Sequence, residues 1–268
     1  MKLINQSYEI CKSHGYTLQG INKDIEQAAR VSYRSEDKIT EDSAEKMIQR
    51  LIIMKHNSPL EFGTVYLKIK EEDYVCNMNH KYNNNQFSRV ATVDNIIYIT
   101  TNCRVILENG WKDDLNYLCE PTEHHIRRTT VKFTCPRIIS QMFMRHRVFS
   151  FLQESQRYVA YDKDKFGNEI SFVRPVYDKE DKSNYSEFFT KAEEEYMRLR
   201  NEGYKPQQAR AVLPNYTATS FYMCGFDDDW EKFFELRDKD VVDPQMYDLA
   251  HKLHLEFIEK GKCKWKNN

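Results

Sequence analysis

Apolar residues recur with helical spacing in the N-terminal part of the chain. Residues 24–33 (DIEQAARVSY) indicate a short helix that ends in a turn. Residues 40–56 predict a longer helix, which Thr40 or Asp42 can cap. The apolar positions of this segment fall on one helical face: Ala44, Met47, Ile48, Leu51 and Ile52. Ser58 precedes a proline, and because that position disfavours helical angles, the helix ends before it.

Strand patterns lie mainly in the middle of the chain. Residues 64–70 (TVYLKIK) alternate apolar and polar positions like a half-buried strand, and residues 129–134 (TTVKFT) predict a second strand. Residues 96–106 fit a strand or a helix equally well. Between 71 and 128 the chain is polar and turn-rich, with mixed periodicity. An apolar segment from 136 to 144 follows the second strand.

The C-terminal half has helical periodicity. Residues 184–203 predict a helix with Gly203 as its stop, and residues 207–213, 217–236 and 244–260 extend the helical pattern. No internal repeat is found. The order of helices, a few strands and further helices predicts the α+β class with a helical C-terminal half, and 268 residues suit one large domain or two small ones.

Composition narrows the function classes. The 268 residues (32.1 kDa) carry 40 Lys and Arg against 41 Asp and Glu, a net charge of −1 that argues against a general polyanion binder. Hydrophobic residues make up 40%, so a substantial core is possible. The start lacks the apolar region of a secretory signal, and no apolar run approaches a bilayer span of roughly 20 residues. We therefore expect a soluble protein of the cytoplasm, or of the host cytoplasm if the chain is viral.

The cysteines predict reduced thiols. They are odd in number, scattered and without a C-x-x-C pair: Cys11, Cys76, Cys103, Cys119, Cys135, Cys224 and Cys263. This pattern also disfavours a structural zinc site, for which His124 and His125 near Cys119 are the remaining candidates. No metal site is predicted.

The candidate chemistry depends on arginine. The chain has no G-x-G-x-x-G, P-loop, H-E-x-x-H or G-x-S-x-G motif, so phosphate binding must come from side chains. In RHRVFSFLQESQRY, residues 145–158, two guanidinium groups flank an imidazole, and hydroxyl, amide and guanidinium groups follow within ten positions. Guanidinium forks hold phosphate or a uracil-like edge and stay charged when desolvated. A solvated basic turn followed by a core segment is the alternative interpretation.

R-H-R-x7-S, from Arg145 to Ser155, is the signature of flavin-dependent thymidylate synthases, and the chain resembles that family. The similar blocks follow the family's order: AARVSY (28–33), HNSPLEF (56–62), VKFTCPRIISQMFMRHR (131–147), QESQRY (153–158), ARAVLP (209–214) and FFELR (233–237). Residues 71–128 resemble an insertion between two strands that some members carry.

The resemblance implies a single catalytic domain over residues 1–268, of the family's mixed α/β fold. It implies methylation of dUMP to dTMP, with FAD as cofactor, 5,10-methylenetetrahydrofolate as carbon donor and NADPH as reductant. It also implies a homotetramer in which several subunits build each active site.

The resemblance also implies residue roles. The positions that would contact FAD are Ser32, Ser58 (from a neighbouring chain), Arg145, His146, Arg147 and Gln153. The positions that would bind dUMP are Arg145, Gln153, Glu154, Ser155, Gln156, Arg157, Arg210 and Arg237. Arg237 would lie against the pyrimidine and is the predicted catalytic residue.

General chemistry agrees with two of these roles. Uracil is a poor carbon nucleophile at C5 unless electrons are pushed into the ring. Arg237 is a poor base because the pKa of its side chain exceeds about 12, but it can stabilise an anion at N3 and O2. A helix-terminal arginine that binds carbonyl groups is the alternative. Ser155 is predicted to pack or to form hydrogen bonds rather than to act as a nucleophile, since no histidine base adjoins it in sequence.

The chain departs from the family pattern at several positions. Met142 stands where a Gln or Glu commonly precedes the R-H-R motif, with Gln141 one place earlier. Three positions that contact flavin in other members hold Phe226, Asp228 and Lys232, and Val241 replaces a histidine.

Two other functions fit parts of the sequence. The first is a flavoenzyme of the same fold that adds another one-carbon group, such as hydroxymethyl, to a pyrimidine nucleotide. The second is a nucleic-acid-binding protein that uses the R-H-R segment, residues 125–128 and the many tyrosines, against which the net charge of −1 argues.

Overall fold

The computed structural model describes residues 1–78, 81–163, 167–178 and 180–263, with the backbone alone at residues 75–78. The described strands are β1 (Lys2–Ile4), β2 (Ser7–Ile10), β3 (Thr64–Lys70), β4 (Arg89–Val93), β5 (Ile96–Asn102), β6 (Arg128–Pro136), β7 (Ser150–Gln153), β8 (Ser171–Val173) and β9 (Ala218–Phe226). The described helices are α1 (Leu18–Arg30), α2 (Ser43–Ile53), α3 (Glu71–Met78), α4 (Cys103–Glu108), α5 (Arg137–Phe143), α6 (Tyr185–Asn201), α7 (Pro206–Ala209), α8 (Asp227–Arg237) and α9 (Pro244–Glu259). Short 3-10 turns include Val31–Tyr33, Ser58–Phe62 and Arg210–Val212.

An antiparallel sheet with the order β2-β6-β9-β7 forms the centre of the fold. β6 and β9 pair along their whole length, from Arg128 opposite Phe226 to Pro136 opposite Ala218. A second antiparallel sheet, β3-β5-β4, pairs β3 with two strands that lie within the predicted insertion, β4 and β5, and β1 pairs with β8 in parallel. The central sheet therefore carries the elements that adjoin the R-H-R motif.

The main core lies between the central sheet and helices α5, α8 and α9. Phe133 and Phe221 stack across neighbouring strands with ring centroids 5.1 Å apart. Trp230 is fully buried, and its indole N–H donates to the carbonyl of Thr129 at 3.1 Å. Burying an aromatic side chain of this size stabilises the fold by roughly 1.5–3 kcal/mol. This packing fixes α8, which ends at Arg237, against the sheet.

The predicted α+β class is confirmed, and several elements match their predicted ranges. The strand at 64–70 and the helix at 244–260 differ from the structure by at most one residue. The apolar segment 136–144 forms α5. Residues 96–106, for which strand and helix were equally compatible, form both in succession, as β5 and then α4.

The helix predicted over 217–236 is wrong in its first half. Residues 218–226 form β9, and only residues 227–237 are helical. β9 is the second inner strand of the sheet and is buried on both faces, so its sequence is almost continuously apolar. Such a run has no alternation that separates a strand from a buried helix. β8 and β9 also mean that the C-terminal half is not wholly helical.

Helix ends also differ from the prediction. α1 begins at Leu18, six residues before 24, because the Thr17 side chain caps it by accepting the Gly20 amide hydrogen. α2 spans Ser43–Ile53, which is shorter than 40–56. Asp42 occupies its N-cap position without a side-chain cap bond. Residues 207–213 form α7 and a 3-10 turn rather than one helix.

Other expectations concern cysteines, metals and membranes. Within the described residues, Cys11, Cys103, Cys119, Cys135, Cys224 and Cys263 are free thiols. The side chain of Cys76 lies outside the described part. The same residues contain no group of three or more His, Cys, Asp or Glu side chains arranged to hold a metal ion. No helix among them has the length and apolar character needed to cross a bilayer.

Candidate active site

A cleft of about 540 Å³ opens where the end of β7 meets the turn Val31–Tyr33 and helix α2. This volume lies within the range usual for small-molecule sites. Seven residues predicted from the sequence line it: Ser32, Ser58, Gln153, Glu154, Ser155, Arg157 and Arg210. The lining also includes residues that sequence reasoning did not single out, among them Tyr33, His56, Arg137 and Tyr158.

Hydrogen bonds hold the cleft wall at the end of β7 on both sides. The Glu154 amide donates to the carbonyl of Ser220 in β9 at 2.9 Å. The Ser155 amide donates to the carbonyl of Ser32 at 3.2 Å. Gln153 Nε2 donates to hydroxyl oxygens at 2.7 and 3.2 Å, which belong to Ser140 and Thr219. Side chains held in this way are pre-oriented for binding.

A turn at Ser155 brings Arg157 to the cleft. The Arg157 amide donates to Ser155 Oγ at 3.4 Å, a local bond typical of serine turns. The guanidinium carbon of Arg157 lies 5.2 Å from the centroid of the Tyr158 ring, which in turn lies 5.0 Å from that of Tyr33. In the described part of the chain, Ser155 has no histidine among its hydrogen-bond partners. The geometry suits a hydrogen-bonding hydroxyl.

The carboxylate of Glu154 is buried behind the cleft wall. Arg34 Nε donates to Oε2 at 2.9 Å, and the Tyr161 hydroxyl donates to Oε1 at 3.1 Å. Burial raises the pKa of Glu154, and Arg34 opposes that rise. Gln156 is also buried and hydrogen-bonds to Tyr161. These two predicted substrate residues therefore direct their side chains into the protein.

Arg137 is a cleft residue that the sequence analysis missed. It follows β6 directly and begins α5. Burial lowers the pKa of its guanidinium, Tyr161 and Glu154 oppose this, and the nearby charge of Arg210 lowers it further. Among the described residues, Arg137 Nη1 is buried without a hydrogen-bond partner. A buried orphan donor costs about 1–3 kcal/mol, and an anion in the cleft would offset the repulsion between the two guanidinium groups.

A second group of predicted residues lies outside the cleft lining. We call it the RHR group, and it consists of Arg145, His146, Arg147 and Arg237. Arg237 Nε donates to His146 Nε2 at 2.9 Å. Arg145 and Arg147 are exposed, and neither forms an ion pair with any residue that the structure describes. The group therefore offers uncompensated positive charge.

His146 is neutral in this arrangement. Burial lowers the pKa of the imidazole to about 4, and the charges of Arg237 and Arg145 act in the same direction. Since Nε2 accepts a hydrogen bond, the ring proton resides on Nδ1. Burial and the charge of Arg145 also lower the pKa of Arg237. His146 therefore orients the Arg237 guanidinium without adding a charge.

The cleft and the RHR group lie at opposite ends of two elements. α5 begins with Arg137 in the cleft and ends two residues before Arg145. β7 begins three residues after Arg147 and ends with Gln153 in the cleft. Each element spans on the order of 10 Å. Within a single chain, the predicted residues of the cleft are therefore separated from those of the RHR group.

A family model described as thymidylate synthase complementing protein matches residues 15–81 and 119–260, well over half of the sequence. The chain belongs to this family. The gap between the two matched segments, residues 82–118, lies inside the range 71–128 that the sequence predicts as an insertion.

Curated relatives in the family carry the predicted name. The flavin-dependent thymidylate synthase of Pyrobaculum aerophilum is 44% identical over 87 residues, 32% of this chain and 31% of the relative. The flavin-dependent thymidylate synthase of Pyrococcus furiosus is 27% identical over 129 residues, which are 47% of this chain and 52% of the relative. The probable flavin-dependent thymidylate synthase of Paramecium bursaria Chlorella virus 1 is 26% identical over 143 residues, which are 49% of this chain and 66% of the relative. The resemblance inferred from the sequence is thus confirmed, and the matches span about a third to two thirds of these relatives.

Among solved structures, the chain is similar to the UMP/dUMP methylase PolB from Streptomyces cacaoi. The crystal structure with 5-Br dUMP is 19% identical, with a TM-score of 0.44, and the comparison covers 97% of this chain and 93% of that one. The structure with 5-Br UMP is 18% identical, with a TM-score of 0.45, and the comparison covers 97% of this chain and 92% of that one.

Three departures from the family's flavin-contact pattern form one cluster. Phe226 is buried, and the guanidinium carbon of Arg89 in β4 lies 4.2 Å from its ring centroid. Arg89 also donates to Asp228 at 3.3 Å and to Asp229 at 3.1 Å. Lys232 Nζ lies 3.5 Å from Asp229. The sheet β3-β5-β4 is thereby attached to the first turn of α8.

The other departures lie apart from the cleft lining. Met142 packs against the core of the central sheet, and Gln141 is exposed. The Val241 side chain is 86% exposed.

Proposed function

We propose that this chain methylates dUMP to dTMP, with FAD as cofactor, 5,10-methylenetetrahydrofolate as carbon donor and NADPH as reductant. The names of the curated relatives support this reaction class. The observation that carries the proposal is the cleft, because Arg137, Arg157 and Arg210 line a cavity of about 540 Å³. Three guanidinium groups at one small-molecule cleft favour a phosphorylated substrate.

The charges in the cleft support dUMP as substrate. A nucleotide phosphate carries more than one negative charge near neutral pH, and it would offset the repulsion between the guanidinium groups of Arg137 and Arg210. Gln153, Ser155 and Arg157 would bind the rest of the nucleotide from the other wall. Glu154 and Gln156 would act from behind that wall, since both side chains are buried.

The residues that would hold FAD are Ser32, Ser58, Arg145, His146, Arg147 and Gln153. Two observations support the fit. Arg145 and Arg147 are exposed and lack an ion-pair partner among the described residues, so their charge is available to a diphosphate. Ser32, Ser58 and Gln153 supply neutral hydrogen-bonding groups along the cleft. When bound, FAD supplies the hydride-transfer chemistry of the reaction.

Arg237 would activate the pyrimidine. C5 of uracil becomes nucleophilic as negative charge builds up at N3 and O2, and a fixed guanidinium stabilises that charge. The bond from Arg237 Nε to His146 occupies one of its five N–H donors and leaves four for the substrate. Lowering the pKa of N3 by two units would correspond to about 2.7 kcal/mol.

The complete site would be shared between subunits of a homotetramer, as the family resemblance implies. The separation of the cleft from the RHR group within one chain supports this arrangement. So does the apolar surface near the RHR group in sequence, where Val148, Leu236 and Val241 are 57%, 59% and 86% exposed. Contact with a second copy would bury these side chains and bring one chain's Arg237 to another chain's cleft.

The test combines spectroscopy with product analysis. Purified protein is expected to show flavin absorption that bleaches anaerobically with NADPH. It is also expected to convert dUMP to dTMP when methylenetetrahydrofolate is added. Mass spectrometry of the nucleotide identifies the group added at C5: a methyl group supports the proposal, and a hydroxymethyl group replaces it with the alternative flavoenzyme. Protein that binds neither flavin nor dUMP would contradict it.

A further inference from the structure

A buried cluster of three side chains lies behind the nucleotide-facing wall of the cleft. Glu154 is 1% exposed and Tyr161 2%, whereas the Arg34 side chain is 30% exposed. Each carboxylate oxygen of Glu154 has its own donor: Arg34 Nε at 2.9 Å and the Tyr161 hydroxyl at 3.1 Å. The Arg34 guanidinium carbon also lies 5.6 Å from the centroid of the Tyr161 ring. A buried charge satisfied in this way holds its partners in a single arrangement.

Arg34 reaches Glu154 from an unusual backbone conformation. It ends the turn Val31–Tyr33 with φ 46° and ψ 58°, in the left-handed region. A non-glycine residue in that region carries a backbone cost on the order of 1 kcal/mol. The ion pair with Glu154 offsets that cost and gives a physical reason for the conformation.

The ion pair joins two walls of the cleft. Arg34 belongs to the wall that contains Ser32, a residue proposed to contact FAD. Glu154 lies between Gln153 and Ser155, which are proposed to contact dUMP. The same walls are also joined by the bond from the Ser155 amide to the Ser32 carbonyl at 3.2 Å and by the rings of Tyr33 and Tyr158, whose centroids lie 5.0 Å apart. The ion pair adds a charge-assisted bond to these contacts, and such bonds are roughly twice as strong as neutral ones.

The cluster also acts on Arg137. The charge of Glu154 and the hydroxyl of Tyr161 both oppose the fall in the pKa of Arg137 that burial causes. Loss of the negative charge of Glu154 would leave the positive charges of Arg137 and Arg210 less well balanced.

We propose that Arg34, Glu154 and Tyr161 are positioning residues that hold the FAD-facing turn and the dUMP-facing segment at a fixed separation. This inference rests on the proposed function. None of the three side chains needs to touch the reacting atoms. The cluster acts through Ser32 and Ser155 on either side of the cleft and through the charge felt by Arg137.

The main test uses Arg34→Asn and Glu154→Gln. Asparagine tolerates the left-handed conformation, so Arg34→Asn removes the guanidinium without adding backbone strain. Glu154→Gln keeps the size and removes the charge. For both variants, loaded with FAD, we expect the dissociation constant for dUMP, measured by calorimetry, to rise about tenfold. The rate at which NADPH reduces the flavin in the absence of dUMP is expected to stay within about twofold.

Two further variants separate positioning from general destabilisation. Tyr161→Phe removes one hydrogen bond to Glu154 and is expected to weaken dUMP binding by about threefold, so it remains informative if Glu154→Gln does not fold. Arg200→Met is the control, because Arg200 also forms an arginine–carboxylate pair, with Asp162 at 2.9 and 3.1 Å, and does not line the cleft. It should bind dUMP like the wild type.

The outcomes are distinct. Wild-type affinity for dUMP in folded Arg34→Asn and Glu154→Gln would overturn the inference, and so would an equal loss in Arg200→Met. A double variant that binds no more weakly than the single variants would support it, since the two residues act as one unit. Failure of the wild-type protein to bind dUMP would instead count against the proposed function.

Discussion

Arginine side chains carry the positive charge of both candidate subsites. Arg137 and Arg210 lie in the cleft, and Arg145 and Arg237 lie in the RHR group. Burial lowers the pKa of Arg137 and of Arg237, and the charge of the other guanidinium in each pair lowers it further. Each pair is therefore less stable alone than with an anion between its members. This excess charge is what an anionic substrate or cofactor would use for binding.

Arg137→Met separates the binding role of Arg137 from any structural role. We expect the free energy of unfolding without ligand to stay the same or to rise by up to about 1 kcal/mol, because the variant removes an orphan buried donor. The dUMP dissociation constant should rise at least tenfold. Urea denaturation and calorimetric titration measure the two effects. As a control, Arg198→Met on the exposed face of α6 should leave dUMP binding unchanged. An Arg137→Met protein that is less stable than the wild type and binds dUMP with unchanged affinity would contradict the assignment of Arg137 to substrate binding.

Arg237→Lys tests the activation of the pyrimidine. Lysine keeps the charge but loses the planar fork and its bond to His146, so kcat at saturating dUMP is expected to fall about a hundredfold. NADPH reduction of the flavin should change much less, since that half-reaction does not involve the pyrimidine. Anaerobic half-reaction kinetics give the second rate.

Arg210→Lys is the matched comparison. If Arg210 holds the nucleotide phosphate, this variant should raise the KM for dUMP more than it lowers kcat. Wild-type turnover by Arg237→Lys would show that another group activates the substrate.

The neutral state of His146 predicts a pH dependence of stability. Its folded pKa of about 4 lies below the ordinary value of 6.5, so between these values the unfolded chain binds a proton at this residue that the folded chain does not. Stability therefore falls as the pH drops from 6.5 towards 4. His146→Gln lacks this contribution, and its free energy of unfolding should fall less steeply over the same range. Urea denaturation at several pH values compares the slopes, and parallel curves would refute the prediction.

Sequence reasoning reached the residues whose chemistry is concentrated in short motifs. The stretch from Arg145 to Arg157 is recognisable because many polar groups occur within thirteen positions. Arg137 was missed because it stands alone at the start of an apolar segment, and Arg210, Glu154 and Tyr161 approach it from distant parts of the chain. A single arginine three residues after a predicted strand was the available signal.

Individual elements were predictable where one face is polar. β3 is half-buried, so its alternating apolar and polar residues identify it as a strand and also indicate where it begins and ends. β9 is buried on both faces and has no such alternation. Its identity as a strand follows from pairing with β6 and β7, which no local pattern encodes.

β9 depends on a glycine for close packing. A Cβ at Gly225 would lie 2.3 Å from Cδ1 of Phe149, whose ring centroid is 4.8 Å from that of Trp230 and has little room to move. Gly225→Ala is therefore expected to lower the free energy of unfolding by about 1–3 kcal/mol. Urea denaturation measures the loss. Adding Phe149→Leu to Gly225→Ala should recover part of it, and an additive loss in the double variant would argue against this contact.

The whole molecule is predicted to be active only as an assembly. Two inactive variants, Arg237→Met in the RHR group and Arg210→Met in the cleft, should complement each other when they are co-expressed with different tags and purified as hybrids. If each site combines the cleft of one chain with the RHR group of another, about a quarter of the sites in random hybrids are intact. Steady-state assays measure the recovered activity. Light scattering gives the oligomeric state, and a fully active monomer would exclude shared sites.

Arg89 and the acidic first turn of α8 constrain each other's replacement over evolutionary time. The guanidinium of Arg89 contacts both Asp228 and Asp229. A descendant that lost the inserted strands β4 and β5 would keep three adjacent carboxylates, Asp227 to Asp229, with one cation fewer. A descendant that first gained an arginine at position 228 would set it directly against Arg89. Because each change alone leaves like charges without compensation, we expect the insertion and the acidic turn to be gained and lost together.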